Sequence, residues 1–182
     1  MENAISFYKF NALAGHLFSH VIDERYKLTI DLANFGRQLF NGRDKLSYEN
    51  LLRPSREGIN SVQIAFLKRL VLVDYALGKF ENSEPLNTRF VWRLVYDSLL
   101  VFKGHDYHAT VGSQGFLSVE IYRYEVNDDR KILRLHIWDR SFTNLFKEQH
   151  SGKYVVHSHL FNAQSQVLCG SIINTRYRIN QL

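Results

Sequence analysis

The chain has 182 residues, with 23 Lys and Arg against 18 Asp and Glu for a net charge of +5. Hydrophobic residues at 45% and only two prolines exclude a disordered or linker-type chain and leave apolar surface for a core. The lone Cys169 excludes an internal disulfide, and neither an 18-residue apolar run nor a basic run of five occurs, so no membrane-spanning helix and no nucleic-acid partner is expected.

The first hundred residues carry helical periodicity. Phe7, Phe10, Leu13, Leu17 and Val21 recur at helical spacing across 3–22. Residues 24–40 place Leu28, Leu32, Phe35 and Leu39 on one face of a single predicted helix, with Gly42 as its stop. A short segment at 46–52 ends before Pro54, because proline disfavours the helical conformation of the residue preceding it. The strongest helix is predicted over 58–78, with Ile59, Val62, Phe66, Leu70, Val73 and Leu77 as its apolar stripe. Lys68, Arg69 and Asp74 lie off that stripe, and Gly78 supplies the expected C-cap. Residues 79–86 read as a loop. Asn87 then caps a helix that turns Val91, Val95, Leu99 and Phe102 inward and ends at Gly104.

After Gly104 the period changes to two. Residues 116–126 and 131–138 alternate as strands around a turn at Asn127-Asp128-Asp129. Leu133, Leu135 and Ile137 share one face; Arg134, His136 and Trp138 share the other. Residues 153–160 and 165–179 continue the strand pattern, with Gly170 interrupting the second run. Helices followed by an antiparallel meander give an α+β fold, with a helical region over 1–104 and a β region over 105–182 packed as one unit. The N-terminus has Glu2 and no long apolar run, unlike a secretory leader, and Cys169 in Val167-Leu168-Cys169 reads as a buried thiol. Together these point to a cytoplasmic protein.

Six of the eight histidines lie beyond residue 104. Within them His157 and His159 form an i, i+2 pair on a predicted strand, so both imidazoles face one way about 7 Å apart and can converge on one divalent metal. Gly152, His157, His159, Gln164 and Gly170 in GKYVVHSHLFNAQSQVLCG resemble the first motif of the cupin superfamily, nearest in flavour to the thiol dioxygenases. The resemblance covers about 112–180 and implies a partial jelly-roll sheet. It also implies a divalent metal, Fe(II) first with Zn or Ni as alternatives, and oxidation of a small thiol or similar substrate.

Two positions depart from that family pattern. Gln164 stands where Glu is usual, and none of the twelve residues after Gly170 is His. A third ligand must come from elsewhere. His136 is the first choice in this chain and His150 the second; a partner chain, a longer chain or an inactive site are the alternatives. Gln164, Arg176 and Arg178 are candidate substrate contacts, and an open sheet edge favours a homodimer. His105 and His108 in GHDYH form a further, weaker pair. Arg53, Arg56, Lys68 and Arg69 could form a basic face, but no helix-turn-helix or Gly-rich phosphate loop accompanies them. The competing reading is a non-catalytic ligand- or partner-binding regulatory protein with a degenerate metal site.

Overall fold

The computed structural model describes residues 3–53, 58–103, 110–111, 116–126, 129–139 and 163–171. The fold mixes helices with two small antiparallel sheets, as the α+β expectation requires. Strand β1 (Ala4–Ser6) runs into helix α1 (Phe7–His20), and strand β2 (Lys45–Ser47) runs into helix α4 (Tyr48–Leu52). The two strands pair with Ile5 opposite Leu46. A serine closes each strand and caps the helix that follows: Ser6 accepts from the Lys9 amide and Ser47 from the Asn50 amide.

The helix expected over 24–40 is two helices, α2 (Glu24–Lys27) and α3 (Leu32–Phe40). Asp31 causes the break. Its side chain accepts from the Asn34 amide, which starts a new helix instead of continuing the old one. Leu28, predicted inward, is therefore 97% exposed, and Ile30 takes its place in the core. Helix α3 ends where expected, with Asn41 and Gly42 both at positive φ. It approaches α1 closely at Gly36, where an added Cβ would meet Asn11 and Phe10 at 3.0 and 3.2 Å.

Helix α5 (Ser61–Glu81) forms the centre of the molecule. Asn60 and Gln63 build a reciprocal capping box at its start. Gly78 does not stop it. The helix passes through Gly78 and ends at Asn82-Ser83, where the Asn82 side chain bonds the Gly78 carbonyl and Ser83 takes positive φ. Leu67, Leu70, Val71, Leu72 and Val73 are all buried, so neighbours surround this helix on most sides. Arg69 and Asp74, expected off the apolar stripe, are buried as well.

Each buried charge has defined partners. The Asp74 carboxylate accepts from the Tyr48 hydroxyl at 2.7 Å and pairs with Lys9 at 2.5 Å, tying α5 to α4 and α1. Burial, reinforced by the Asp74 charge, pushes the Tyr48 phenol well above its ordinary pKa, so it stays a donor. Arg69 donates to the carbonyls of Ile121 at 3.0 Å and Ser98 at 3.2 Å, with its guanidinium 3.1 Å from the centre of the Phe102 ring.

Helix α6 (Thr88–Ser98) packs along α5 with Val91, Leu94 and Val95 inward, capped by Asn87 as predicted. A 3₁₀ turn (Leu99–Val101) ends it before Gly104. The second sheet has the order β3 (Thr110–Val111), β4 (Leu117–Val126), β5 (Asp129–Ile137). Strands β4 and β5 form the expected hairpin, with Val126 opposite Asp129 across the turn. Their register shifts between Glu120 and Tyr122, leaving Ile121 without a cross-strand partner. This bulge lets two consecutive residues, Ile121 and Tyr122, both be buried. It also makes the Ile121 carbonyl available to Arg69. The strand predicted from 165 has no counterpart over 165–171, an irregular stretch with Gly170 at positive φ; the rest of that run and all of 153–160 lie outside the described residues.

Candidate functional site

Of the candidate metal ligands, His157 and His159 lie outside the described residues, as do Arg176, Arg178, His105, His108 and His150. His136 lies on β5 opposite Ser118. The alternation holds there: Leu133 and Leu135 pack against the core, while Arg134, His136 and Trp138 face outward. Ile137, expected on the inner face, is the last residue of β5 and is 37% exposed.

The outward face at that end is an aromatic cluster. The His136 imidazole stacks on Phe116 with centroids 4.3 Å apart and planes at 28°. Trp138 meets the imidazole edge-on at 5.7 Å and lies 5.1 Å from Phe116. Desolvation by these rings, and then the neighbouring Arg134 charge, holds the His136 pKa below its ordinary value. The ring is therefore neutral at physiological pH and carries a free nitrogen lone pair, the form a metal or a proton donor requires.

Gln164 is exposed in the irregular segment, and no hydrogen bond joins it to His136 among the described residues. Its neighbour Gln166 makes the tertiary contact instead. The Gln166 amide accepts from the Leu86 N–H at 2.6 Å and donates to the Leu86 carbonyl at 2.8 Å, so one side chain completes both backbone groups of Leu86. Cys169, expected in the core, is exposed because this segment runs over the surface and places only Leu168 against the core. Among the described residues, no group of three or more His, Cys, Asp or Glu side chains is placed to hold a metal ion.

Of the residues that could form a basic face, the three described are not brought together as one. Arg53 pairs with Glu49, Lys68 with Asp97 at 2.6 Å, and Arg69 is internal. Arg56 lies outside the described residues.

Sequence reasoning missed a second histidine cluster. His16 and His20 are one helical turn apart on α1, with rings 4.5 Å apart. The His16 ring also meets Tyr122 at 5.2 Å and Tyr124 at 5.5 Å. Its Nε2–H donates to the Arg123 carbonyl, fastening α1 to β4. Desolvation, then the charges of His16, Lys103 and Lys27, lowers the His20 pKa. The i, i+4 spacing was visible in the sequence; the tyrosines that complete the cluster lie a hundred residues away.

Comparison with models of protein families, with curated proteins and with solved structures finds no match for this chain. No helix among the described residues is long and apolar enough to cross a membrane.

Proposed function

We propose that the β region is a metal-binding module resembling the cupins, with His157, His159 and His136 as ligands to one divalent ion. What supports the reading is His136. Phe116 desolvates it, its lone pair is free at neutral pH, and it sits on the hairpin that precedes the His-x-His pair in the chain. Three neutral imidazoles suit Fe(II), with Zn(II) and Ni(II) as competitors. When bound, Fe(II) would supply dioxygen chemistry toward a small thiol or similar molecule. In this reading Phe116 and Trp138 orient the His136 ring and keep water from one side of it, and Gln164, Arg176 and Arg178 hold the substrate's polar and anionic groups.

A second reading rests on the same cluster. Phe116, His136 and Trp138 present three adjoining rings, a surface that takes a flat or cationic ligand without metal. On this reading the protein is a non-catalytic binding or regulatory protein.

Metal content per chain separates the two. Untagged protein reconstituted with Fe(II), Zn(II) or Ni(II) should hold close to one ion. The His157→Ala/His159→Ala variant should hold none, and His136→Ala should bind at least tenfold more weakly. Occupancy unchanged in both variants defeats the metal reading. Absence of metal in the wild type, with ligand-dependent quenching of Trp138, establishes the second.

A further inference from the structure

We propose that the outward face of α6 binds single-stranded nucleic acid, with Trp92 and Tyr96 stacking on bases and Arg89 and Arg93 holding phosphates. The helix buries Val91, Leu94, Val95 and Ser98. Arg89, Trp92, Arg93, Tyr96 and the following Leu100 occupy the opposite sector, about 100° wide. Solvent faces of helices ordinarily carry polar and charged chains. Here Trp92 is 50% exposed, Tyr96 71% and Leu100 43%. Among the described residues neither Arg89 nor Arg93 has an ion-pair partner. The one acid of the helix, Asp97, is neutralised by Lys68. The first turn holds no acid, so the positive end of the helix adds to the two guanidiniums.

The spacing selects the ligand class. The two arginines and the two aromatics are each four residues apart and interleaved, so cations and rings repeat with the same rise of about 6 Å. A single strand offers a π-face and a negative charge at every nucleotide, and a ladder of this kind matches it without reading base identity. The net charge of +5 adds a favourable long-range field. Other occupants fit less well. A second copy docked on the same face would bring four arginines into one contact with no acid free to pair them, since Asp97 is already held by Lys68. The anchors of protein interfaces sit in desolvated pockets, whereas two cavities of about 350 and 320 Å³ lie beside α3 and none of their lining residues belongs to α6.

The face is also rigid. Asn87 caps α6, the Asn87 amide donates to the Tyr75 hydroxyl at 3.0 Å, and Gln166 clamps Leu86 immediately before it. Periodicity alone pointed to the inward residues. Lys68 and Arg69 are tied to partners within the fold, and other cations such as Arg43 and Lys45 are exposed too, but Arg89 and Arg93 alternate with Trp92 and Tyr96 on one face.

The test is fluorescence anisotropy of a labelled oligo-dT of about 15 nucleotides with the full chain in low salt. Saturable binding at about 1–100 μM is expected. Arg89→Ala/Arg93→Ala should weaken it and reduce the slope of log Kd against log salt by about 1.4, the value for two single-strand phosphates. Trp92→Ala/Tyr96→Ala should weaken it about tenfold or more and leave that slope unchanged. Quenching of Trp92 emission by the same oligonucleotide in a Trp138→Phe protein gives a readout with α6 intact. No binding up to 1 mM overturns the proposal, as does equal binding by both double variants. Polyglutamate that binds in a Trp92- and Tyr96-dependent way also overturns it, and would assign the face to an acidic protein instead.

Discussion

The helical region and the β region hold their shape by different means. Among the described residues, the buried apolar side chains that form the core all come from residues 5–102 except Ile121 and Tyr122. The helical region gathers its other helices about α5 and buries their apolar stripes against one another, with only the single-turn α2 contributing no buried residue. The hairpin β4–β5 contributes two fully buried residues and packs Val119, Tyr124, Leu133 and Leu135 against the core, while its other face carries exposed aromatics at one end and ion pairs such as Arg123–Glu120 along it. A hairpin extended only by the two-residue strand β3 among the described residues is marginal alone. Its inner face packs on the helices, and three polar contacts add point attachments: Arg69 to Ile121, His16 to Arg123, Lys131 to Glu81. One part is fastened by a large apolar area and the other by a small apolar patch reinforced by a few polar contacts, and that difference tells where a single substitution will act.

The largest effect is expected at Arg69. Arg69→Met keeps most of the side-chain volume but removes the donors for two buried carbonyls, Ile121 and Ser98. Each orphaned group costs about 1–3 kcal/mol, so a loss of about 2–5 kcal/mol is expected. Trp92 and Trp138 report the two regions separately in single-tryptophan variants. In wild type their urea transitions should coincide; in Arg69→Met the Trp138 transition should move to lower urea than that of Trp92. Coincident transitions in the variant would show that the apolar contacts of the inner face alone bind the hairpin.

A smaller, local effect is expected at Gln166. Gln166→Ala removes two hydrogen bonds to Leu86 and should cost about 1–2 kcal/mol in the segment 163–171. Amide exchange at Leu86 should accelerate about tenfold while the midpoint of the Trp92 transition stays nearly constant. A full shift of that midpoint would mean the segment belongs to the cooperative core.

How far the sequence disclosed this arrangement follows from what periodicity measures. It counts apolar residues on a face, so α1, the core of α5, α6 and the β4–β5 hairpin were all legible, as was the Asn87 cap. It does not register competition for the backbone, and so the Asp31 side chain that splits α2 from α3 was missed. Nor does it register demand: Arg69 reads as a surface residue until the bulge at Ile121 and the last turn of α6 present carbonyls in need of a donor. The outward placement of His136 was legible from alternation, but its neutral, stacked state depends on Phe116, which the hairpin brings alongside from twenty residues upstream. The α6 face was missed because attention to buried positions leaves exposed aromatics unread.

The smallest effect tests the helical region by itself. Gly78 was expected to end α5, yet it lies in the helix interior, outside the positive-φ positions, and a Cβ added there meets nothing within 4 Å. Nothing in the fold therefore requires glycine, whose backbone entropy costs a helix about 0.5–1 kcal/mol relative to alanine. Gly78→Ala should stabilise by that amount, mainly by restricting the unfolded chain. If the two regions are fastened as argued, the Trp92 transition should move to higher urea by the full increment. In an Arg69→Met background the Trp138 transition should not follow it. A destabilised Gly78→Ala protein would show instead that the last turn of α5 needs the freedom of glycine to reach the Asn82-Ser83 stop, and that Gly78 belongs to the helix end after all.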